Sequence, residues 1–369
     1  MATRTPYLGS PATFFLTLLI VLPTVLSAVW DPAQLDSWVT GNLQKYGQRK
    51  ADLPSKDTIN ATLAAAEQGS KVIKVRRDGS GDFRTVTEAV NSIPDGNTKR
   101  VVVWIGPGDY FEKIVVTRAK PFVTFYGAPG QTPRLVFDGT AAKYGTVYSA
   151  SVTVESDYFV AVNIAFVNSA PKPDGKRKGA QAVAMRISGD RAAFHGCSFH
   201  GFQDTLCDDK GMHLFKDCYI EGTVDFIFGN GKSLYLNTTI RTIGDNLPGF
   251  ITAQARAKVT DDSGFAFVYC NITGTGKTYL GRAWMERPRV VFANTYMSDV
   301  ISSGGWTDGN HPERQQMVFY AEYNCTGPGS SSSSRVKYSK QLTVEEVKPF
   351  LSISYVEGAE WLIPPPSLK

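Results

Sequence analysis

Cys197-Ser-Phe-His-Gly-Phe-Gln-Asp-Thr-Leu-Cys207 and, 21 residues later, Cys218-Tyr-Ile-Glu-Gly-Thr-Val-Asp-Phe-Ile-Phe228 set out one order of residue types twice. Each opens on an anchoring residue, passes one free position and reaches an aromatic or aliphatic one. The same opening occurs at Ile164-Ala-Phe166, Thr238-Thr-Ile240, Cys270-Asn-Ile272 and Thr295-Tyr-Met297. Successive anchors stand 33, 21, 20, 32 and 25 residues apart. Steps of this size match one coil of a parallel β-helix, and the two long steps match coils with an inserted loop. An antiparallel sandwich has no reason to repeat a residue type at that interval. From Arg100 onward short runs such as Val101-Val-Val-Trp-Ile105 and Phe122-Val-Thr-Phe-Tyr126 alternate with Gly, Asn and Asp, the texture of a mostly β chain. The expected fold is all-β, a single-stranded right-handed parallel β-helix. Short helices are expected near its ends, at Val86–Ile93, before Pro94, and at Val344–Phe350.

The repeat makes a sharper statement about two carboxylates. Asp204 and Asp225 each follow their anchor by seven residues, so stacked coils set one beside the other. Adjacent strands lie about 4.8 Å apart. Two ionised carboxylates at ~5 Å repel by roughly 3 kcal/mol at an effective dielectric of 20, or about two pKa units. One therefore keeps a proton while its neighbour stays charged. That pairing suits acid/base and nucleophilic work on an ester or glycosidic bond. Aspartates that merely cap turns rarely sit in sequence as apolar as Val224-Asp-Phe-Ile-Phe228.

Other residues could complete such a site. Gln203 precedes Asp204, and Gln181 lies within Ala180-Gln-Ala-Val-Ala184. Their amides are either satisfied in the core or free to hold an oxyanion. Within Leu280-Gly-Arg-Ala-Trp284, Arg282 offers a cation for a carboxylate and Trp284 an indole for a sugar face. Phe202 and Trp306 are further stacking candidates, a role that competes with core packing. Other signals fail. Gly274-Thr-Gly-Lys-Thr278 lacks the first glycine of a phosphate loop, Asn271 standing in its place, and Gly79-Ser-Gly81 lacks the third glycine of a dinucleotide motif. No Gly-x-Ser-x-Gly elbow is present. His195, Cys197, His200, Cys207, His213 and Cys218 crowd one region, but their spacing fits no standard zinc pattern. No metal or cofactor is expected.

The 369 residues are 42% hydrophobic and 20% charged, which excludes a disordered chain or a disulfide miniprotein. A net charge of +5 without a long basic stripe argues against nucleic acid and suits an acidic polymer. The one dense basic cluster, Lys172, Lys176, Arg177 and Lys178, reads most simply as a solvated loop. Residues 1–28 read as a signal peptide, with Arg4, the apolar run Phe14–Leu26, and small Ser27 and Ala28 at the cut. That run is too short to span a bilayer, which needs ~20 residues. The mature chain is expected to be secreted, with an extension at 29–70 and the catalytic domain at 71–369. Secretion permits disulfides, and Cys197, Cys207, Cys218, Cys270 and Cys325 leave an odd one; Cys197 with Cys218, or either with Cys207, are open pairings. Glycosylation patterns occur at Asn60, Asn237, Asn271 and Asn324.

Taken together, Gly108-Asp-Tyr-Phe-Glu-Lys113, Gln181-Ala-Val-Ala184, Gln203-Asp-Thr-Leu206, Gly222-Thr-Val-Asp-Phe-Ile-Phe-Gly229, Leu280-Gly-Arg-Ala-Trp284 and Phe319-Tyr-Ala-Glu-Tyr323 resemble the plant pectin methylesterases, or pectinesterases, from about Lys71 to Trp361. The resemblance implies a pectin lyase-like solenoid with a carbohydrate cleft, and metal-free hydrolysis of galacturonate methyl esters to methanol and pectate. It implies Asp225 as nucleophile, Asp204 as acid then base, Gln203 and Gln181 at the oxyanion, Arg282 holding Asp225 ionised and Trp284 on the sugar. It also places Thr146, in Gly145-Thr-Val-Tyr-Ser-Ala150, against substrate. Two positions depart from the family: Cys207 replaces a usual Tyr, and Ala283 a usual Pro. The short stretch before the domain implies the type without an inhibitor-like N-terminal region. The implied setting is a monomer in the cell wall, with pectin as substrate and a proteinaceous pectinesterase inhibitor as a protein partner. Rival readings are a depolymerase on the same fold and a catalytically silent wall-binding protein. The first needs an Asp-rich or calcium-binding set, and the second needs loss of Asp204, Asp225 or Arg282; neither is seen.

Overall fold

The computed structural model describes residues 60–245 and 248–363. The proposed signal peptide and most of the extension lie outside them. Strands recur along the chain in a fixed rotation through three all-parallel sheets of eleven, eight and eight strands. The first sheet runs from Lys71–Val75 to Ser339–Gln341; the second contains Ser198–His200, Tyr219–Gly222 and Asn271–Thr275; the third contains Leu206–Asp208, Ile227–Gly229, Gly249–Gln254 and Thr278–Arg282. This is the right-handed parallel β-helix the repeat predicts.

The corners explain the anchors. Between the first and second sheets the chain turns on a left-handed residue in seven successive coils: Asn163, Gly196, Asp217, Asn237, Tyr269, Asn294 and Asn324, with φ between 47° and 59°. Asn, Asp and Gly accept that backbone at little strain. The next residue is the anchor, and it points inward; Ile164, Cys197, Cys218, Thr238, Cys270 and Thr295 are all buried. All five cysteines are free thiols, so no open pairing is realised. The long steps hold loops, at residues 169–184 and 255–263.

Inside, register stacks like on like. Phe194, Phe215, Tyr235, Phe267 and Phe292 are successive partners in the first sheet, with ring centroids 4.8, 4.6, 4.4 and 4.4 Å apart and near-parallel planes. Trp306 stacks on Tyr320 at 4.4 Å beside this column. Helix Val86–Asn91, started by a Thr85–Glu88 capping box, covers one end of the interior with Val86, Ala89 and Val90. Helix Ala61–Glu67 and the terminal turns from Val344 to Glu360 lie on the outer face of the first sheet, burying Leu214, Leu234, Ala266 and Val291. No described helix is long and apolar enough to cross a membrane.

Because Phe215 contacts rings on both neighbouring coils, Phe215→Ala leaves a cavity that neither coil can fill. We expect a loss of about 3–5 kcal/mol in chemical denaturation.

Candidate active site

Pairing of Leu206 with Ile227 fixes the register of two coils, and two residues earlier Asp204 and Asp225 occupy equivalent positions. Both sit on left-handed corners between the second and third sheets, with φ of 66° and 50°. The Asp204 N–H donates to the Val224 carbonyl at 3.0 Å, tying one corner to the next. Both carboxylates are buried, 8% and 4% exposed.

Their surroundings differ. Arg282 donates to both oxygens of Asp225, Nε to Oδ1 at 2.6 Å and a terminal amine to Oδ2. Burial raises the Asp225 pKa above the ordinary carboxylate range and this fork opposes the rise. Among the described residues Asp204 has no cation of its own: burial first, then the charge of Asp225, pushes it well above the usual value, with Arg282 only a partial counterweight. Of the two, Asp204 is the one pushed further above the ordinary carboxylate range.

Arg282 comes from a strand two coils beyond Asp225. Gly281 lets that strand close on its neighbour, since a Cβ there would lie 2.3 Å from the Thr252 hydroxyl. The guanidinium lies between two rings, 4.7 Å from Trp284 and 5.5 Å from Phe250, and Phe250 stacks on Tyr279 at 5.7 Å. Arg314 holds the carbonyls of Ala283 and Trp284, leaving the indole 51% exposed. The site thus presents a carboxylate forked by a cation, a second carboxyl one coil away and a broad aromatic face.

Gln181 and Gln203 are half-buried on neighbouring coils, joined through Ala182 N–H to the Gln203 carbonyl at 3.2 Å. Among the described residues neither side-chain amide is taken up by a protein hydrogen bond, so the core-satisfied alternative does not apply. Half-buried Phe202 has the Lys172 ammonium 6.0 Å from its ring. Thr146 begins the turn Val147–Ser149, whose Val147 packs with Ala150, Val183, Cys207 and Phe228. Cys207 is thereby covered, and burial pushes its thiol well above the ordinary value. Trp306 is a correction. It pairs with Gly281 in the third sheet on the inward-facing parity, is 1% exposed, and donates Nε1–H to Glu322 at 3.1 Å. It is core and cannot reach a sugar.

Sequence reading missed Phe250 and Tyr279. It also missed a fully buried network behind the strand that follows Asp204. His213 Nδ1 meets Asp208 Oδ1 at 2.5 Å, His213 Nε2 donates to the Gly189 carbonyl at 2.9 Å, and Tyr235 donates to Asp208 Oδ2 at 2.7 Å. The available signals were glycines: a Cβ at Gly231 would lie 2.1 Å from Asp208 Oδ1, and one at Gly211 3.0 Å from His213 Nε2. Burial lowers the His213 pKa, but the charge and hydrogen bond of Asp208, with the Gly189 carbonyl and Asp190, outweigh it and raise it overall. The zinc-like crowd is dispersed: His213 lies in this network, His200 pairs with Glu221, and among the described residues no cluster of His, Cys, Asp or Glu is placed to hold a metal.

The pectinesterase family model matches residues 72–359. Pectinesterase 1 of Olea europaea is 51% identical over 356 residues, 95% of this chain and 96% of that protein. The pectinesterase of Parthenium hysterophorus is likewise 51% identical, with the same coverage. The solved pectin methylesterase from carrot superposes with a TM-score of 0.74 at 32% identity, over 79% of this chain and 94% of that one.

Two stability measurements test the electrostatics. A carboxyl whose folded pKa is raised destabilises the fold once pH exceeds the unfolded value, so Asp204→Asn, neutral and tolerant of the left-handed corner, should be more stable than wild type at pH 7, by about 1–3 kcal/mol. For His213 the sign is opposite. Its pairing stabilises fully below about pH 6.5, the unfolded value, and the contribution is lost as pH rises through the raised folded value. His213→Ala should therefore cost about 3–5 kcal/mol in acid and measurably less in alkali.

Proposed function

The chain belongs to the pectinesterase family and is a pectin methylesterase, a hydrolase of pectin methyl esters, and we propose that its chemistry runs on the Asp204–Asp225 pair. The observation that carries this reading is the asymmetry of the pair: Asp225 is forked by Arg282, whereas Asp204, one coil away, has no counter-ion of its own.

Asp225 attacks the ester carbonyl. The oxygen that becomes negative is received by the free amides of Gln203 and Gln181. Asp204 gives its proton to the departing methanol, leaving a galacturonyl–Asp225 anhydride. Now ionised, Asp204 takes a proton from water, which attacks that anhydride, releasing the free acid and restoring Asp225. Arg282 keeps Asp225 charged before attack and again on release. Trp284 stacks on a sugar ring beside the reacting ester, Phe202 lines the rim, and Thr146 stands at the wall built on Val147. Phe250, which sequence reading did not single out, extends the aromatic face.

The apolar run Phe14–Leu26 supports export to the cell wall, where methylated homogalacturonan is the polymer met. We read residues 71–369 as the catalytic domain, acting as a monomer that a proteinaceous pectinesterase inhibitor can engage.

Methanol release from methylated pectin tests the assignment. Asp225→Asn, which preserves shape and removes the nucleophile, should lower kcat by about 10⁴-fold or more. Release at wild-type rate would refute the nucleophile assignment, and shortening of the polymer without methanol would point to a depolymerase.

A further inference from the structure

Four asparagines begin an Asn-x-Thr pattern, and in three of them the fold already accounts for the residue. Asn60 caps helix Ala61–Glu67, its Oδ1 accepting from Thr62 N–H. Asn237 and Asn324 are left-handed corners, a conformation Asn tolerates. Their amides donate along the corner ladder, Asn237 to Asp217 Oδ1 at 2.6 Å and Asn324 to Asn294 Oδ1 at 2.8 Å. Asn271 differs. It opens the strand Asn271–Thr275, where Asn is disfavoured, and its exposed side chain makes no hydrogen bond among the described residues.

Its neighbours add a second, independent observation. Tyr269, two residues earlier, is 60% exposed and occupies a left-handed corner at φ 53°, the one bulky residue in a ladder otherwise of Asn, Asp and Gly. Tyr296, directly opposite Asn271 on the next coil, is 45% exposed. Two exposed rings thus flank an unpartnered amide. Tyrosine rings offer apolar faces to the C–H face of a sugar while their hydroxyls stay wet.

We propose that Asn271 is an N-glycosylation site whose first N-acetylhexosamine packs on Tyr296 and Tyr269. The step is transfer from a lipid-diphosphate-linked oligosaccharide. The Asn271 Nδ2–C1 bond forms, the C1–O bond to the diphosphate breaks, the lipid diphosphate leaves, and the amide proton passes to the transferase base. Thr273, on the same face of the strand, supplies the required hydroxyl. Through the register Tyr219–Thr239–Asn271 the glycan lies at the strand end opposite the corner bearing Asp204 and Asp225, so it leaves the cleft open. The proposal rests on export of the chain.

The test is expression of the full chain in a plant secretory host, with glycopeptide mass spectrometry of medium and cells before and after peptide N-glycosidase. Conversion of Asn271 to Asp on glycan release is the expected result. So is a larger drop in Tm on deglycosylation for wild type than for Tyr296→Ala, with methanol release unchanged in Asn271→Gln. Secreted protein with Asn271 bare overturns the glycan assignment alone. Protein retained in the cytosol with residues 1–28 intact overturns export, and the glycan with it. An equal drop in Tm for both proteins removes the packing on Tyr296.

Discussion

The repulsion between two carboxylates held one coil apart is the interaction on which the rest depends. A flexible loop would relieve it by moving. Here each aspartate is a left-handed corner, the Asp204 backbone is tied to the next coil, and the hydrogen-bonded ladder of Leu206 with Ile227 prevents a shift in register. On the proposed mechanism relief comes through a proton instead, and Arg282 decides where it goes. The cation forks Asp225 and leaves Asp204 the more basic partner.

The solenoid supplies what such a site needs. Its interior is a column of stacked rings that fixes coil spacing, and its third sheet brings side chains from distant sequence to one face. Arg282 reaches Asp225 across 57 residues of sequence because two further coils suffice to carry it there. The rings of Trp284 and Phe250 confine the guanidinium and shield the ion pair from water, which strengthens it.

The fold and the acid pair were legible because both obey one period. Anchors recur by coil, and the aspartates keep a constant offset from them. What sequence reading did not see was why the anchors recur. The Asn, Asp or Gly before nearly every anchor is the left-handed corner itself, and Tyr269 hides the pattern in one coil. Trp306 was misjudged because inward or outward orientation in the third sheet depends on its pairing with Gly281, which no local pattern announces. Phe250 and Tyr279 meet only through coil-to-coil stacking, and the Asp208–His213–Tyr235 network joins three strands. Glycines 211 and 231 marked the room for that network, but a glycine in sequence does not say what fills the space it leaves.

Neutron diffraction from deuterium-exchanged crystals of the ligand-free protein near neutral pH reads the central claim directly. The account predicts a deuteron on a carboxyl oxygen of Asp204 and none on Asp225, whose two oxygens each receive a deuterium from Arg282. A deuteron on Asp225, or two bare carboxylates, would contradict it.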